Sequence, residues 1–276
     1  MSEPGLDSPE KESEVGHYLR TLLESEVEGL LRQDSRGLVG EFRQQKLERE
    51  AAKNWDKFYK RNETRFFKDR HWTTREFQEL IGDGETTRTL IEVGCGVGNF
   101  LYPLLEENLN LFVYACDFSP RAIRLVKSHP KYDESKVKAF ECDITKEELR
   151  SITGNEVDII SLIFVLSALH PEKFKEVVSN LYRCLKPGGM VLVRDYGLYD
   201  MAMLRFGPGN KLGERFYVRQ DGTRSYYFTE EELRQLFEGS GFVVSSNHYV
   251  SRQTVNKKEG INARRIFIQA KFMKPS

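Results

Sequence analysis

The 276-residue chain has only four cysteines, and their spacing excludes much of what cysteines do. Cys95, Cys116, Cys142 and Cys184 form no C-x-x-C pair, so neither a zinc site nor a disulfide framework is expected. They read as small, reduced core residues, which suits a cytoplasmic compartment and also a nuclear one. No apolar run reaches the roughly 18 residues of a membrane span. The first residues, MSEPGLDSPEKE, are acidic and lack an apolar stretch, so no secretory signal is expected. Neither a membrane nor a metal is therefore an expected partner. Net charge is missing too, because 42 Lys and Arg balance 42 Asp and Glu. That balance hides a pattern: residues 1–40 carry −5, 41–75 carry +5, 76–200 carry −6 and 201–276 carry +6. Two basic segments thus flank an acidic middle. Folded together they would make an electrostatic footprint for nucleic acid, although charge alone leaves solvated helix faces open as a reading.

What is present is 39% hydrophobic and 30% charged residues, the balance of a soluble globular chain long enough for one sizeable core with extensions. The most informative stretch is LIEVGCGVGNF, residues 90–100. Apolar residues run into Glu92, then Gly94, Gly96 and Gly98 alternate, which reads as a buried strand, a tight turn and a helix. A second strand ends at Asp117, about 20 positions on, the spacing at which a carboxylate meets ribose hydroxyls. A third ends at Asp143. Dinucleotide sites usually read G-x-G-x-x-G and offer a helix N-terminus to a pyrophosphate. Here the pattern is G-x-G-x-G behind a carboxylate, which favours a ligand carrying an amino group. The combination resembles the class I S-adenosylmethionine methyltransferases. A dinucleotide or nucleotide-sugar site is the alternative.

Residues 1–37 are acidic and weakly patterned, and disorder or a loose helix near 17–31 is expected. Residues 38–276 read as one domain. Its first part, 38–80, is a helical and basic extension. There Leu47, Ala51, Trp55, Phe58 and Tyr59 recur at helical steps, and FFKDRHW interleaves aromatic and basic residues. Strands are expected near 89–93, 111–116, 137–142, 157–164 and 189–195, with helices near 98–107, 120–128 and 171–185. That alternation implies an α/β, Rossmann-like, mostly parallel sheet presenting its ligand at the C-terminal strand ends. Residues 197–228 interrupt it with a long basic and aromatic insertion, read as a functional loop or small hairpin. A helix near 229–238 and two strands, near 242–252 and 265–273, would close a seven-stranded sheet with an antiparallel edge hairpin.

Several segments are more particular than this fold. FRQQKLEREAAKNWDKFYKRN, FFKDRHWTTREF, ACDFSPRAI, FVLSALHP, RDYGLYDMAMLRF, FYVRQDGTRSYYFT and TVNKKEG resemble the tRNA N3-methylcytidine methyltransferases, of the methyltransferase-like protein 6 type. The resemblance covers residues 39–275. It implies methyl transfer from S-adenosylmethionine, leaving S-adenosylhomocysteine, to N3 of cytidine 32 in the anticodon loop of serine tRNAs. It implies seryl-tRNA synthetase as partner. It also implies cofactor contacts from Trp55, Tyr59, Gly94, Asp117, Asp143, Ile144 and Ile163. The glycine-turn argument adds Glu92, Gly96 and Gly98. Asp195 and Tyr196 after the fifth strand, together with Arg70, are the candidates for the reacting base. His71, Trp72, Arg215, Arg219, Lys257 and Lys258 are candidates for holding the RNA. Enzymes that methylate exocyclic base amines usually carry Asn/Asp-Pro-Pro-Tyr/Phe after strand four. Residues 164–170 read FVLSALH instead, which argues against that chemistry. A small-molecule or protein methyltransferase is the alternative function.

Overall fold

A computed structural model describes residues 37–256 and 261–276, the side chains of 254–256 and 261–263 excepted. The expected acidic segment up to residue 36 and the Lys257–Lys258 turn lie outside the described residues. Strands β1 (Arg88–Val93), β2 (Leu111–Asp117), β3 (Val137–Glu141), β4 (Val157–Ile163) and β5 (Leu185–Tyr196) run parallel. β9 (Val243–Asn256) and β10 (Ile261–Met273) complete a seven-stranded sheet in the order β3-β2-β1-β4-β5-β10-β9, with β10 antiparallel to both neighbours. The chain leaves β1 toward β2 and β3, then returns to place β4 on the other side of β1. That reversal makes the C-terminal ends of β1 and β4 the switch point, where such sheets open a crevice.

Helices cover both faces. α4 (Leu101–Glu106) and α5 (Pro120–Lys127) lie on one face, where Leu101, Leu104, Ile123 and Val126 pack with Leu90, Val113 and Ile159. α6 (Leu149–Thr153), α7 (Phe174–Cys184) and α9 (Glu230–Glu238) lie on the other, where Leu149, Val177, Leu181 and Phe237 pack with Ile91, Val93 and Phe272. The strands buried on both faces are apolar because they have no solvent side. Ser119 caps α5 by accepting from the Ala122 amide at 3.2 Å, with Pro120 at the first helical position. All four cysteines are buried and free.

Residues 38–61, whose periodicity predicts a single helix, form two. α1 (Glu41–Arg49) and α2 (Ala51–Asn62) meet at Glu50, and α3 (Thr73–Glu76) follows. α2 lies over α5, where the Asp56 carboxylate accepts from the Ser119 hydroxyl at 3.0 Å and the Arg121 amide at 3.2 Å. The insertion contains the expected hairpin and more. It folds as a short helix α8 (Met201–Leu204) and a three-stranded antiparallel sheet of β6 (Lys211–Gly213), β7 (Phe216–Val218) and β8 (Arg224–Tyr226). Its inward side is aromatic: Tyr217, Tyr226, Tyr227 and Phe228 are buried.

Extension and insertion touch. The Val39 amide donates to the Lys211 carbonyl at 2.8 Å, and the Asn54 side-chain amide donates to the Gly222 carbonyl at 3.2 Å. Glu48 pairs with Arg224 and with Lys173, and Arg61 pairs with Asp221 at 3.5 Å.

Candidate functional site

A cleft of two joined lobes opens at the switch point, roofed by α2. Trp55, Tyr59, Gly94, Phe164 and Ala168 border both lobes. The first encloses about 580 Å³ including its mouth, and its wall includes Arg70, Glu92, Gly96, Asn99, Ile163, Ser167, Tyr196, Arg219 and Arg224. The second encloses about 520 Å³, and its wall includes Asp117, Phe118, Cys142, Asp143, Ile144 and Val165.

The turn after β1 is shaped for close approach. Gly96 has φ +54°, and a Cβ there would lie 3.0 Å from the Tyr59 hydroxyl oxygen. A side chain there would crowd the Tyr59 ring that α2 lays on the turn. The Asp117 carboxylate accepts from the Gly96 amide at 3.0 Å and the Ser119 amide at 2.9 Å, so the end of β2 fixes the turn after β1. Burial pushes the Asp117 carboxyl up to about 6, against those two hydrogen bonds. Burial also holds Glu92 well above the carboxylate range, with Arg70 opposing and Asp117 adding to the shift. One buried oxygen of Glu92 and one buried Nη of Arg70 have no hydrogen-bond partner among the described residues. Buried polar atoms left this way cost free energy, so a cleft holding one of each sign is built for a ligand that satisfies both. Burial lowers the Arg70 guanidinium below its ordinary value, while Glu92 pulls the other way.

The wall opposite the turn is aromatic. Phe164 follows β4 at φ +62°, a rare conformation for a bulky residue, and its amide donates to the Arg194 carbonyl at 2.7 Å. Its ring lies 5.0 Å from that of Tyr196, with the Arg70 guanidinium 5.0 Å above it. The Arg219 guanidinium stands 5.6 Å over Tyr196.

A methyltransferase-domain family model matches residues 91–191. The tRNA N(3)-cytidine methyltransferase METTL6 of Mus musculus is 60% identical over 92% of this chain and 91% of its own. The tRNA N(3)-methylcytidine methyltransferase trm141 of Schizosaccharomyces pombe is 44% identical over 86% and 97%. The chain belongs to the tRNA N(3)-cytidine methyltransferase family. A SAM-dependent methyltransferase from Anabaena variabilis shares the fold, with TM-score 0.60 and 16% identity over 81% of this chain and 95% of its own.

The cofactor of this family member is S-adenosylmethionine. The cleft fits it: the sulfonium ligand carries an ammonium and a carboxylate, matching the unpartnered atoms of Glu92 and Arg70. Asp117 stands at the end of β2, where a carboxylate meets ribose hydroxyls in folds of this kind. Of the residues singled out in the sequence as cofactor contacts, all but Gly98 border the cleft. Gly98 serves packing instead, since a Cβ there would lie 2.4 Å from the Tyr102 ring. Asp143 borders the second lobe, but its carboxylate is engaged by Thr145 at 2.6 Å and Lys146 at 2.7 Å.

Among the candidates for the base and the RNA, Arg70, Tyr196 and Arg219 reach the cleft. Four others do not. Asp195 is wholly buried and accepts from the Ser167 and Tyr196 amides at 3.0 and 2.9 Å. It holds the turn after β4 in place and does not border the cleft. Arg215 is held by Glu232 at 3.0 Å, beside the Tyr226 ring, and is a packing residue of the insertion. Trp72 packs on Phe77, with the Arg194 guanidinium 4.9 Å from its ring, so it belongs to the core side of its loop. His71 is exposed and outside the cleft.

Phe164, Ser167, Ala168 and Arg224 were missed as wall residues. Their sequence signal was the apolar FVLSALHP segment where a polar motif is absent, and an arginine in a run of aromatic residues.

Proposed function

We propose that this chain transfers the methyl group of S-adenosylmethionine to N3 of cytidine 32 in the anticodon loop of serine tRNAs, with seryl-tRNA synthetase as the partner that presents the tRNA. The observation that carries the reading is the double lobe, in which one wall suits an adenosine and the other meets it across a shared aromatic rim. Asp117 would hold the ribose, Ile144 and Val165 the adenine, and Glu92 and Arg70 the amino-acid end. When bound, the cofactor supplies an electrophilic methyl group. Cytosine N3 already carries a lone pair, so no residue need remove a proton before attack.

The work left to the protein is orientation and exclusion of water. Phe164 and Tyr196 offer flat faces for a base drawn out of its loop, and N3 lies on the pairing edge, so the base must be unpaired to react. Those same faces stabilise the positive charge that the methylated base acquires. Trp55 and Tyr59 close the cleft against solvent.

The test is a methylation assay on total tRNA with and without the synthetase, read by nucleoside analysis. The expected product is 3-methylcytidine in serine tRNA, weak with the enzyme alone and strong with the synthetase through effective concentration. Equal methylation of all tRNAs without the synthetase would overturn the partner assignment. Absence of 3-methylcytidine under every condition would overturn the substrate.

A further inference from the structure

A second groove lies against the insertion, on the far side of Arg219 from the cofactor cleft. It is wide, about 1260 Å³ including its open side, and Arg205, Phe206, Asn210, Arg219, Gln220 and Arg265 line it. Arg219 belongs to both walls, so the two spaces meet at its guanidinium above Tyr196. Among the described residues, three cations and no carboxylate line this groove. The cations differ in how they are committed. Arg265 is neutralised by the buried Asp200 at 2.8 Å. Arg219 donates to the Arg224 carbonyl at 2.8 Å and has no ion pair among the described residues. Arg205 is exposed at the mouth and has no ion pair among the described residues. The aromatic wall is Phe206, stacked on Tyr217 at 4.7 Å with an interplanar angle of 4°.

We propose that this groove binds the nucleotide next to the target cytidine, with its phosphodiester between Arg205 and Arg219 and its base along Phe206. The proposal rests on the RNA reading above. A flipped base in the first lobe must leave its backbone at the lobe's rim, and the rim on the insertion side is Arg219. A phosphate there meets two guanidinium groups, Arg205 and Arg219, that no carboxylate of the described residues pairs with. An aromatic wall beside such a phosphate is the arrangement by which proteins hold unpaired nucleotides without reading their pairing edges. The groove would therefore position the loop rather than select its sequence. Asn210 and Gln220 offer the polar atoms that any base selection would need.

The test pairs a protein change with a chemical change in the RNA. A serine tRNA is made with one neutral methylphosphonate, placed in turn on the 5′ and the 3′ side of the target cytidine. Methylation is measured at saturating cofactor with the synthetase present, for the wild type, Arg205→Ala and Arg205→Lys. Arg205 carries no described packing load, so the alanine variant is expected to fold and to bind cofactor normally by calorimetry. The wild type should show KM for tRNA raised about ten-fold by one of the two methylphosphonates, the size expected for one lost charged hydrogen bond. Arg205→Ala should raise KM on normal tRNA and show a smaller further rise on the modified one, since only Arg219 remains to be lost, and Arg205→Lys should restore most of the loss. Independent, multiplying losses at both positions would overturn the assignment, as would an unchanged KM in Arg205→Ala. If the wild type itself makes no 3-methylcytidine, the RNA reading fails rather than the groove.

Discussion

At the residue scale the cleft is governed by buried carboxylates, and their titration has opposite consequences for folding and for binding. Asp117 is raised from 3.8 to about 6 by burial. The folded protein therefore holds its proton more readily than the unfolded chain does. This residue's contribution to folding stability is fully present below pH 3.8 and is lost as pH rises through about 6. Cofactor binding runs the other way, because only the carboxylate accepts from ribose hydroxyls on both oxygens. We expect cofactor affinity to fall as pH drops through about 6, and Asp117→Asn to flatten that dependence while lowering affinity at neutral pH. Calorimetry from pH 5 to 8 checks both. A second residue-scale prediction concerns Gly96. An alanine there takes a left-handed φ at a cost of about 1–2 kcal/mol and also meets the Tyr59 hydroxyl. Gly96→Ala should lower both thermal stability and cofactor affinity. Tyr59→Phe in the same chain should recover part of the affinity, since the atom in the way is the one removed. Additive effects of the two changes would show that the roof does not rest on the turn.

At the element scale, the extension and the insertion behave as one cover over the cleft although they lie far apart in sequence. Glu48 is the joint, taking Arg224 from the insertion and Lys173 from the start of α7. Arg224 is only 5% exposed, so removing its partner strands a nearly buried cation. Glu48→Gln is expected to destabilise the fold by about 1–3 kcal/mol, the cost of leaving a buried polar group unsatisfied. It should also loosen the cofactor, because Arg224 borders the first lobe. Denaturant melts and cofactor titrations on that variant, with Glu48→Asp as the conservative control, measure the two effects. This joint was not legible in the sequence. The strands, the glycine turn and Asp117 were, because hydrophobic periodicity and a fixed motif spacing are local signals. The break at Glu50 gave no signal, since nothing in LEREAAK interrupts a helical pattern. The sheet of β6 to β8 hid behind strands of three residues each, too short for alternation to show. Arg215 and Arg219 looked equivalent because their aromatic surroundings are alike. Only the fold sets Arg215 against Glu232 and Arg219 against the cleft.

At the scale of the whole molecule, the balanced charge sum is a poor guide to binding. The insertion side of the cleft carries two arginines, Arg205 and Arg219, with no ion pair among the described residues. RNA affinity should accordingly fall with salt, with a log–log slope of roughly −0.7 for each phosphate engaged on unpaired strand. Filter binding of serine tRNA across that range provides the measurement, and a flat response would point to a small-molecule substrate instead.

The strand order carries a consequence for biosynthesis. β10 lies between β5 and β9, so it pairs with a strand made long before it and with one made just before it. As the polypeptide emerges from the ribosome, β5 must wait with one row of amides and carbonyls unpaired until residues 261–273 arrive. β9 has no other neighbour in the sheet among the described residues and waits as well. An open strand edge of this kind is what recruits foreign strands. The nascent protein is thus most exposed to aggregation when its catalytic cleft is already assembled, and chaperone engagement is best timed to the interval before the last strand slides home.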